Sequence, residues 1–261
     1  MAVVTLITDF GCRDHYVASV KGVVLSISPQ TVIVDVTHKV ERHNVLHAAF
    51  VLRETVPWYP DGTVHLAVVD PGVGTDRRII AARCGRHFVV APDNGLVTLL
   101  HRHMRLEAVR VVQNPQLATA EVSATFHARD LMAPAVAHLA AGGRFAELGP
   151  ATDHLEVLQI SEAVATGDAS LKGQVIYVDA FGNLISNIGA EDALSLVSRR
   201  PDTRVYVSGR CVGPLRHSYA DAPVQEPLAV IGSSRLLEVA VNRDSAARRF
   251  DAGVGTDIEL H

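Results

Sequence analysis

Apolar and polar positions alternate along this chain in two different styles. In the first half the apolar runs are continuous. Ala2 to Thr8, Thr31 to Val36 and Val64 to Val69 each read as a strand buried on both faces. Between them, Tyr16, Val20, Val23, Val24 and Ile27 recur at helical spacing and predict a helix from Asp14 to Ser28. A second helix is predicted from His43 to Val56. This β-α-β-α-β order predicts a mostly parallel central sheet with helices on both sides. Ile79 to Cys84 and His87 to Ala91, split by Gly85-Arg86, read as a hairpin. Leu106 to Val112 adds a strand, and a helix opens at Thr125 to Asp130 and runs to about Ala141. After Gly149-Pro150 the pattern changes to short β runs broken by turns: Gln174 to Val178, Leu184 to Asn187, Arg204 to Gly209, Leu228 to Gly232, Leu236 to Val241 and Gly255 to Leu260. Only Glu191 to Ser198 looks helical there. The expected organisation is an α/β domain over residues 1–165, then an all-β barrel or sandwich over 170–261, with the boundary in 160–172.

The predicted sheet strands end in polar turns: Asp9, Asp35 with His38, Asp70, and Asp93 with Asn94. In a parallel sheet these ends share one edge, the place where open α/β sheets bind ligands. Asp70-Pro71-Gly72-Val73-Gly74 is the most pointed, because its proline fixes φ and its glycines permit close backbone approach. Taken singly, each of these residues is ordinary turn or cap chemistry. Several on one edge favour a site. Two chemistries fit: a Mg²⁺ or metal-pair centre for phosphoester hydrolysis, or metal-free binding of a polar substrate's hydroxyl and amino groups. Asp70, Arg77 and His127 lean toward the second. Arginine is a poor neighbour for a divalent cation and a good one for a carboxylate or a developing hydroxide.

Composition narrows the field. Of 261 residues, 48% are apolar and 20% charged, as in a soluble globular protein. A net charge of −4 with no Lys/Arg block argues against nucleic acid as the main partner. No apolar run approaches the ~20 residues that span a bilayer, and the chain enters its first strand without a basic leader. Cys12, Cys84 and Cys211 form no C-x-x-C pair, which fits a reduced cytoplasm. The 13 histidines are scattered, with no H-E-x-x-H pair.

The ordered motifs then point to a family. They are Thr8-Asp9-Phe10-Gly11 with Asp14, the Val68-Val69-Asp70-Pro71-Gly72-Val73-Gly74-Thr75-x-Arg77 block, and Ala91-Pro92-Asp93-Asn94-Gly95. Thr125-Phe126-His127-x-Arg129-Asp130, the stretch Asp179 to Ile188, and Gly232-Ser233-Ser234 complete the set. With these motifs in this order the chain resembles the S-adenosyl-L-methionine (SAM) hydroxide adenosyltransferases, adenosine-forming SAM hydrolases related to the fluorinase and chlorinase. The resemblance covers nearly the whole chain. It implies an N-terminal α/β domain, a C-terminal β barrel, and a homotrimer with SAM between the N-terminal domain of one subunit and the C-terminal domain of its neighbour. The implied reaction is SAM plus water to adenosine and L-methionine, with no metal and no cofactor.

Carried over by motif, Asp70, Arg77 and His127 would handle the water, and Asp9 would hold the ribose hydroxyls. Asp14, Asp179 and Ser234 would bind the methionine end. Asn183 and Ser233 would recognise adenine, with Phe181 and Tyr219 packing on it. Either His127 or Asp70 could be the base. A carboxylate at Asp70 beside the nucleophile would repel a halide, and the chain has Val73 and His127-Ala128 where the fluorinase carries hydroxyl residues, so halogenation is disfavoured. Ala128, Arg235-Leu236 and Tyr16 depart from the residues usual in relatives. The other readings are a non-catalytic SAM or adenosine binder and a metal-dependent phosphohydrolase.

Overall fold

The structure, a computed structural model, describes residues 2–166 and 170–261. The chain divides into two compact units, Met1–Leu158 and Gln159–His261. Residues 167–169 of the expected boundary segment lie outside the described residues.

Continuous apolar runs make strands that need cover on both faces, and the first unit supplies it. Its elements are β1 (Val3–Thr8), α1 (Tyr16–Ile27), β2 (Val32–Thr37), α2 (Val45–Thr55), β3 (Val64–Val68), β4 (Ile79–Cys84), β5 (His87–Pro92), α3 (Thr98–His103), β6 (Leu106–Val111) and α4 (Ala133–Ala140). Alternate strand residues serve opposite faces. Val4, Leu6, Leu66 and Val68 join Val20, Val24 and Val136 in one core, while Ile7, Ala67 and Val69 join Ala48, Leu52 and Leu100 in the other.

The strand order is β2-β1-β3-β5-β4-β6. β1 pairs in parallel with β2 and β3, and β3 with β5, so the ends carrying Asp9, Asp35, Asp70 and Asp93 do share an edge. β4, however, is antiparallel to both β5 and β6. The sheet is therefore mixed: the pairings of β1, β2, β3 and β5 are parallel, as expected, and those of β4 are not. Its cause is the tight Gly85-Arg86 turn, with Gly85 at φ 58°: a link this short permits only an antiparallel neighbour.

The second unit contains β7 (Val164–Ala165), β8 (Leu171–Val178), β9 (Leu184–Gly189), α5 (Ala190–Arg199), β10 (Val205–Val207), β11 (Arg210–Gly213), β12 (Leu215–Arg216), β13 (Pro227–Ile231), β14 (Leu236–Val241), α6 (Ala246–Phe250) and β15 (Asp257–Leu260). It is a β unit with two helices, not an all-β one. Ala193, Leu196, Ala246 and Phe250 of those helices are buried in its core. Its strands run β11-β10-β15-β8-β9-β14-β13-β12, and β11 lies beside β13, so the sheet curls nearly closed.

Candidate active site

Each unit carries its own pocket. The N-terminal one is a cavity of about 320 Å³ at the shared strand edge, and its lining includes Asp9, Asp14, Asp70 and His127. β3 stops where Asp70 begins its turn, and the Asn94 side chain anchors that stop by donating to the Val69 carbonyl at 2.8 Å. The Asp70 backbone carbonyl accepts from Val73 N at 3.2 Å, and Thr75 Oγ1 donates to the Gly72 carbonyl at 2.7 Å, which folds the loop so that Arg77 returns to Asp70. Gly74 sits at φ +81°, and a Cβ there would come 2.7 Å from the Ala124 carbonyl. This glycine brings the loop against the segment leading into His127, so its close approach is to the protein's own backbone.

Arg77 joins the cluster. Its Nε donates to Asp70 Oδ1 at 2.8 Å and Oδ2 at 3.0 Å, and its Nη2 also donates to Oδ2. The same Nη2 donates to His127 Nδ1 at 2.9 Å. The Asp70 and Arg77 side chains are only 7% and 10% exposed, so this fork is a largely desolvated ion pair with strong, fixed geometry. A guanidinium only donates. His127 Nδ1 is therefore an acceptor, and the neutral ring carries its hydrogen on Nε2. Burial first, and the Arg77 charge second, hold the His127 pKa below its ordinary value, with Asp70 and Asp130 opposing. His127 caps a widened π-type turn, Ala128–Met132, ahead of α4, an irregularity that recurs at functional sites. Buried Asp130 braces that turn through Arg129 and the Ser123 N–H.

Asp9 lies across the cavity. His43 N donates to Asp9 Oδ2 at 3.0 Å from a left-handed backbone, φ 64°, and no hydrogen bond from the described residues reaches the other carboxylate oxygen. Asp14 is exposed and lines the same cavity. Sequence reasoning gave no role to Arg42, His43, Phe10 or Phe126; the two phenylalanines form an aromatic wall with Tyr16, whose ring meets that of Phe126 edge-on at 5.2 Å. The departures fall in place: Tyr16 and buried Ala128 both line the cavity. Arg235 adopts φ 60°, a conformation that suits glycine better than arginine.

The other polar strand ends are structural. Asp93 is nearly buried, held in an ion pair by Arg78 and accepting from Glu156 N at 3.0 Å. Buried His38 links Thr8 Oγ1 (2.9 Å) to Asp35 Oδ1 (3.1 Å). Cys12 is exposed and outside the lining.

The second pocket, about 720 Å³, is lined by Asp179, Phe181, Asn183, Tyr219 and Ser233 among others. Asp179 shapes its own loop: Oδ1 accepts from Phe181 N and Asn183 N at 2.9 Å each, and Oδ2 from Asn183 Nδ2 at 2.9 Å. Phe181 stands 79% exposed at the tip. Ser234 is half-buried and outside the lining. Glu238, which the sequence reading did not single out, is buried in the wall and accepts from Tyr219 Oη at 2.5 Å. Burial raises its pKa and the Tyr219 bond opposes the rise. The signal was present: one carboxylate inside Leu236-Leu237-Glu238-Val239-Ala240-Val241.

Among the described residues, no group of three or more His, Cys, Asp or Glu is arranged to hold a metal, and no helix is long and apolar enough to cross a membrane.

Known proteins share this arrangement. Residues 4–149 match the SAM hydroxide adenosyltransferase N-terminal domain and residues 173–259 its C-terminal domain. The (R)-S-adenosyl-L-methionine hydrolase of Thermus thermophilus is 39% identical over 269 residues, covering 100% of both chains. An Actinoplanes fluorinase is more distant, 28% identical over 99% of this chain and 97% of its own. The crystal structure of an uncharacterized conserved protein from Thermotoga maritima superposes with a TM-score of 0.91 at 34% identity, covering 100% of this chain and 99% of that one. The chain belongs to the SAM hydroxide adenosyltransferase family.

Proposed function

We propose that this protein hydrolyses SAM to adenosine and L-methionine by in-line attack of water on C5′. The observation that carries the reading is the Asp70–Arg77–His127 cluster, fixed by donor-only bonds in a cavity that also presents Asp9 and Asp14. The C5′–S bond breaks with its electron pair leaving on sulfur, so the sulfonium becomes a neutral thioether. That side needs neither acid nor metal. On the other side, placing a water in line supplies much of the acceleration, up to roughly 10 kcal/mol in well-oriented systems. With His127 neutral and its hydrogen on Nε2, the ring donates to the water oxygen and steadies developing negative charge. Asp70 takes the departing proton.

Around this centre, the second carboxylate oxygen of Asp9 accepts from the ribose hydroxyls. Asp14, Asp179 and Ser234 bind the methionine end. Asn183 and Ser233 recognise adenine, with Phe181 and Tyr219 packing on its ring. The assembly is a homotrimer in the cytoplasm, in which the N-terminal pocket of one subunit and the C-terminal pocket of a neighbour enclose one SAM. The name of the Thermus relative specifies the R form, and we take that sulfonium epimer as the preferred substrate.

The test is chromatography of each SAM epimer incubated with the purified protein in EDTA, with and without chloride, in water enriched in heavy oxygen. Adenosine and methionine should appear, with the label in the adenosine 5′-hydroxyl. Label confined to methionine would overturn the mechanism, and stoichiometric binding without turnover would mark a SAM binder instead.

A further inference from the structure

The turn that carries Asp9 is gripped from one side. β1 ends at Thr8, and the loop that follows β2, residues 38–43, ties the turn down. The His38 carbonyl accepts from Gly11 N at 2.8 Å, Val40 N donates to the Thr8 carbonyl at 3.3 Å, and His43 N donates to Asp9 Oδ2 at 3.0 Å. A further tie joins two buried side chains: Thr8 Oγ1 lies 2.9 Å from His38 Nδ1, with Thr8 2% and His38 7% exposed. Thr8 Oγ1 also accepts from Phe10 N at 3.3 Å, a bond that spans Asp9 and sets the direction of its backbone.

The pair has a fixed polarity. His38 Nε2 faces Asp35 Oδ1 at 3.1 Å, and the other oxygen of Asp35 accepts from Lys21 Nζ of α1 at 2.6 Å. A carboxylate only accepts, so a neutral His38 carries its hydrogen on Nε2, and its bare Nδ1 accepts from the Thr8 hydroxyl. Neither Thr8 nor His38 lines the cavity. A buried hydroxyl–imidazole bond adds little net stability over an apolar pair of the same shape, but it fixes an orientation.

We propose that Thr8 and His38 are positioning residues: their bond holds the Asp9 turn so that its carboxylate meets the ribose hydroxyls of the substrate. This rests on the reading of Asp9 as the ribose acceptor. Without the bond the Thr8 hydroxyl turns freely, the Phe10 N–H loses a fixed acceptor, and the direction of Asp9 is left to the main-chain ties. Hydrogen bonds weaken steeply once misaligned, so a small swing of Asp9 costs the ribose contact while the rest of the cavity stays as it is.

The experiment is calorimetric titration of the intact protein with adenosine and 2′,3′-dideoxyadenosine, alongside thermal unfolding. Wild type should bind adenosine at least about ten-fold more tightly, the worth of hydrogen bonds to a charged group. Thr8→Val keeps the branched shape and removes the hydroxyl, and should bring the two nucleosides within about three-fold of each other. Thr8→Ser keeps the hydroxyl and should keep most of the preference. A folded Thr8→Val protein with the wild-type ratio overturns the proposal. So does one that loses affinity for both nucleosides equally, or a Thr8→Ser protein that discriminates no better than Thr8→Val. If Thr8→Val does not fold, Asp35→Ala decides in its place, since that carboxylate is exposed and its removal frees the far end of the His38 ring. A ratio lowered at least about three-fold then upholds the proposal, and a smaller change overturns it. Equal wild-type affinity for the two nucleosides would overturn the reading of Asp9 itself, and this inference with it.

Discussion

In the proposed reaction, the position of Arg77 favours Asp70 as the group that takes the proton. Because it donates to both neighbours, the Nδ1 lone pair of His127 is spent, and Asp70 alone in the cluster is left as acceptor. Asp70→Asn should lower kcat by about a hundred-fold or more while KM changes little, the signature of losing a group that acts in the transition state. An equal rise in KM would demote Asp70 to a binding residue. His127 is held neutral below its ordinary pKa of 6.5. Activity should therefore stay level as pH falls to 6.5 and decline only below it, as the protonated ring turns an N–H toward the guanidinium. In His127→Asn, that acid limb should vanish and a lower, flatter profile remain. A pH–rate series on both proteins reads this directly.

At the scale of elements, the loop from Asp70 to Arg77 meets the segment entering α4 at Gly74, which faces the Ala124 carbonyl, and at Arg77, which donates to His127. Gly74→Ala adds both a strained φ and a collision, and should cost about 1–3 kcal/mol of stability and most of the turnover. Gly85→Ala is the control. It has φ +58° but nothing within 4 Å, so it should lose stability and keep its rate. Thermal unfolding and kcat together separate the two. The strands at this edge were legible in the sequence because burial on both faces leaves unbroken apolar runs. The antiparallel direction of β4 against β5 was legible too, in the Gly85-Arg86 split, but its second pairing, with β6, was not, since periodicity does not name partners. α3 and α6 escaped because Thr98–His103 and Ala246–Phe250 are too short to show a repeat. Asp9, Asp70, Arg77 and His127 were readable as polar punctuation after strands. Arg42 and His43 were not, since their place at the cavity comes from a left-handed turn that no spacing encodes. Glu238 was overlooked for the opposite reason, as its strand reads as core.

For the whole molecule, the far end of the same sheet carries an acid-sensitive feature. His65 is fully buried in β3, with Nδ1 bonded to Thr5 Oγ1 at 2.8 Å and Nε2 without a hydrogen-bond partner among the described residues, and its ring lies 5.5 Å from that of His87. Burial, aided by His87, depresses the His65 pKa from 6.5 to about 3. Between those values the unfolded chain binds a proton that the folded chain refuses, so stability falls as pH drops through the window and returns as pH rises. The full loss approaches about 5 kcal/mol near the lower end, at 1.36 kcal/mol per pH unit. Replacing His65 by Asn, which can still pair with Thr5, should flatten the dependence of Tm on pH below 6.5. A slope equal to wild type would assign the acid sensitivity elsewhere.

Asp70 and His127, proposed to handle the water, line one pocket, and Asn183 and Ser233, proposed to recognise adenine, line another, each within its own compact unit. In the proposed homotrimer this division has a genetic consequence. A subunit with Asp70→Asn still offers an intact C-terminal pocket, and one with Asn183→Ala still offers an intact N-terminal pocket. Two chains, each inactive alone, should therefore complement when co-expressed, because some interfaces in a mixed trimer pair the two sound halves. Purified mixed oligomers should regain a fraction of wild-type turnover. If they stay as inactive as either parent, each site is built from a single chain.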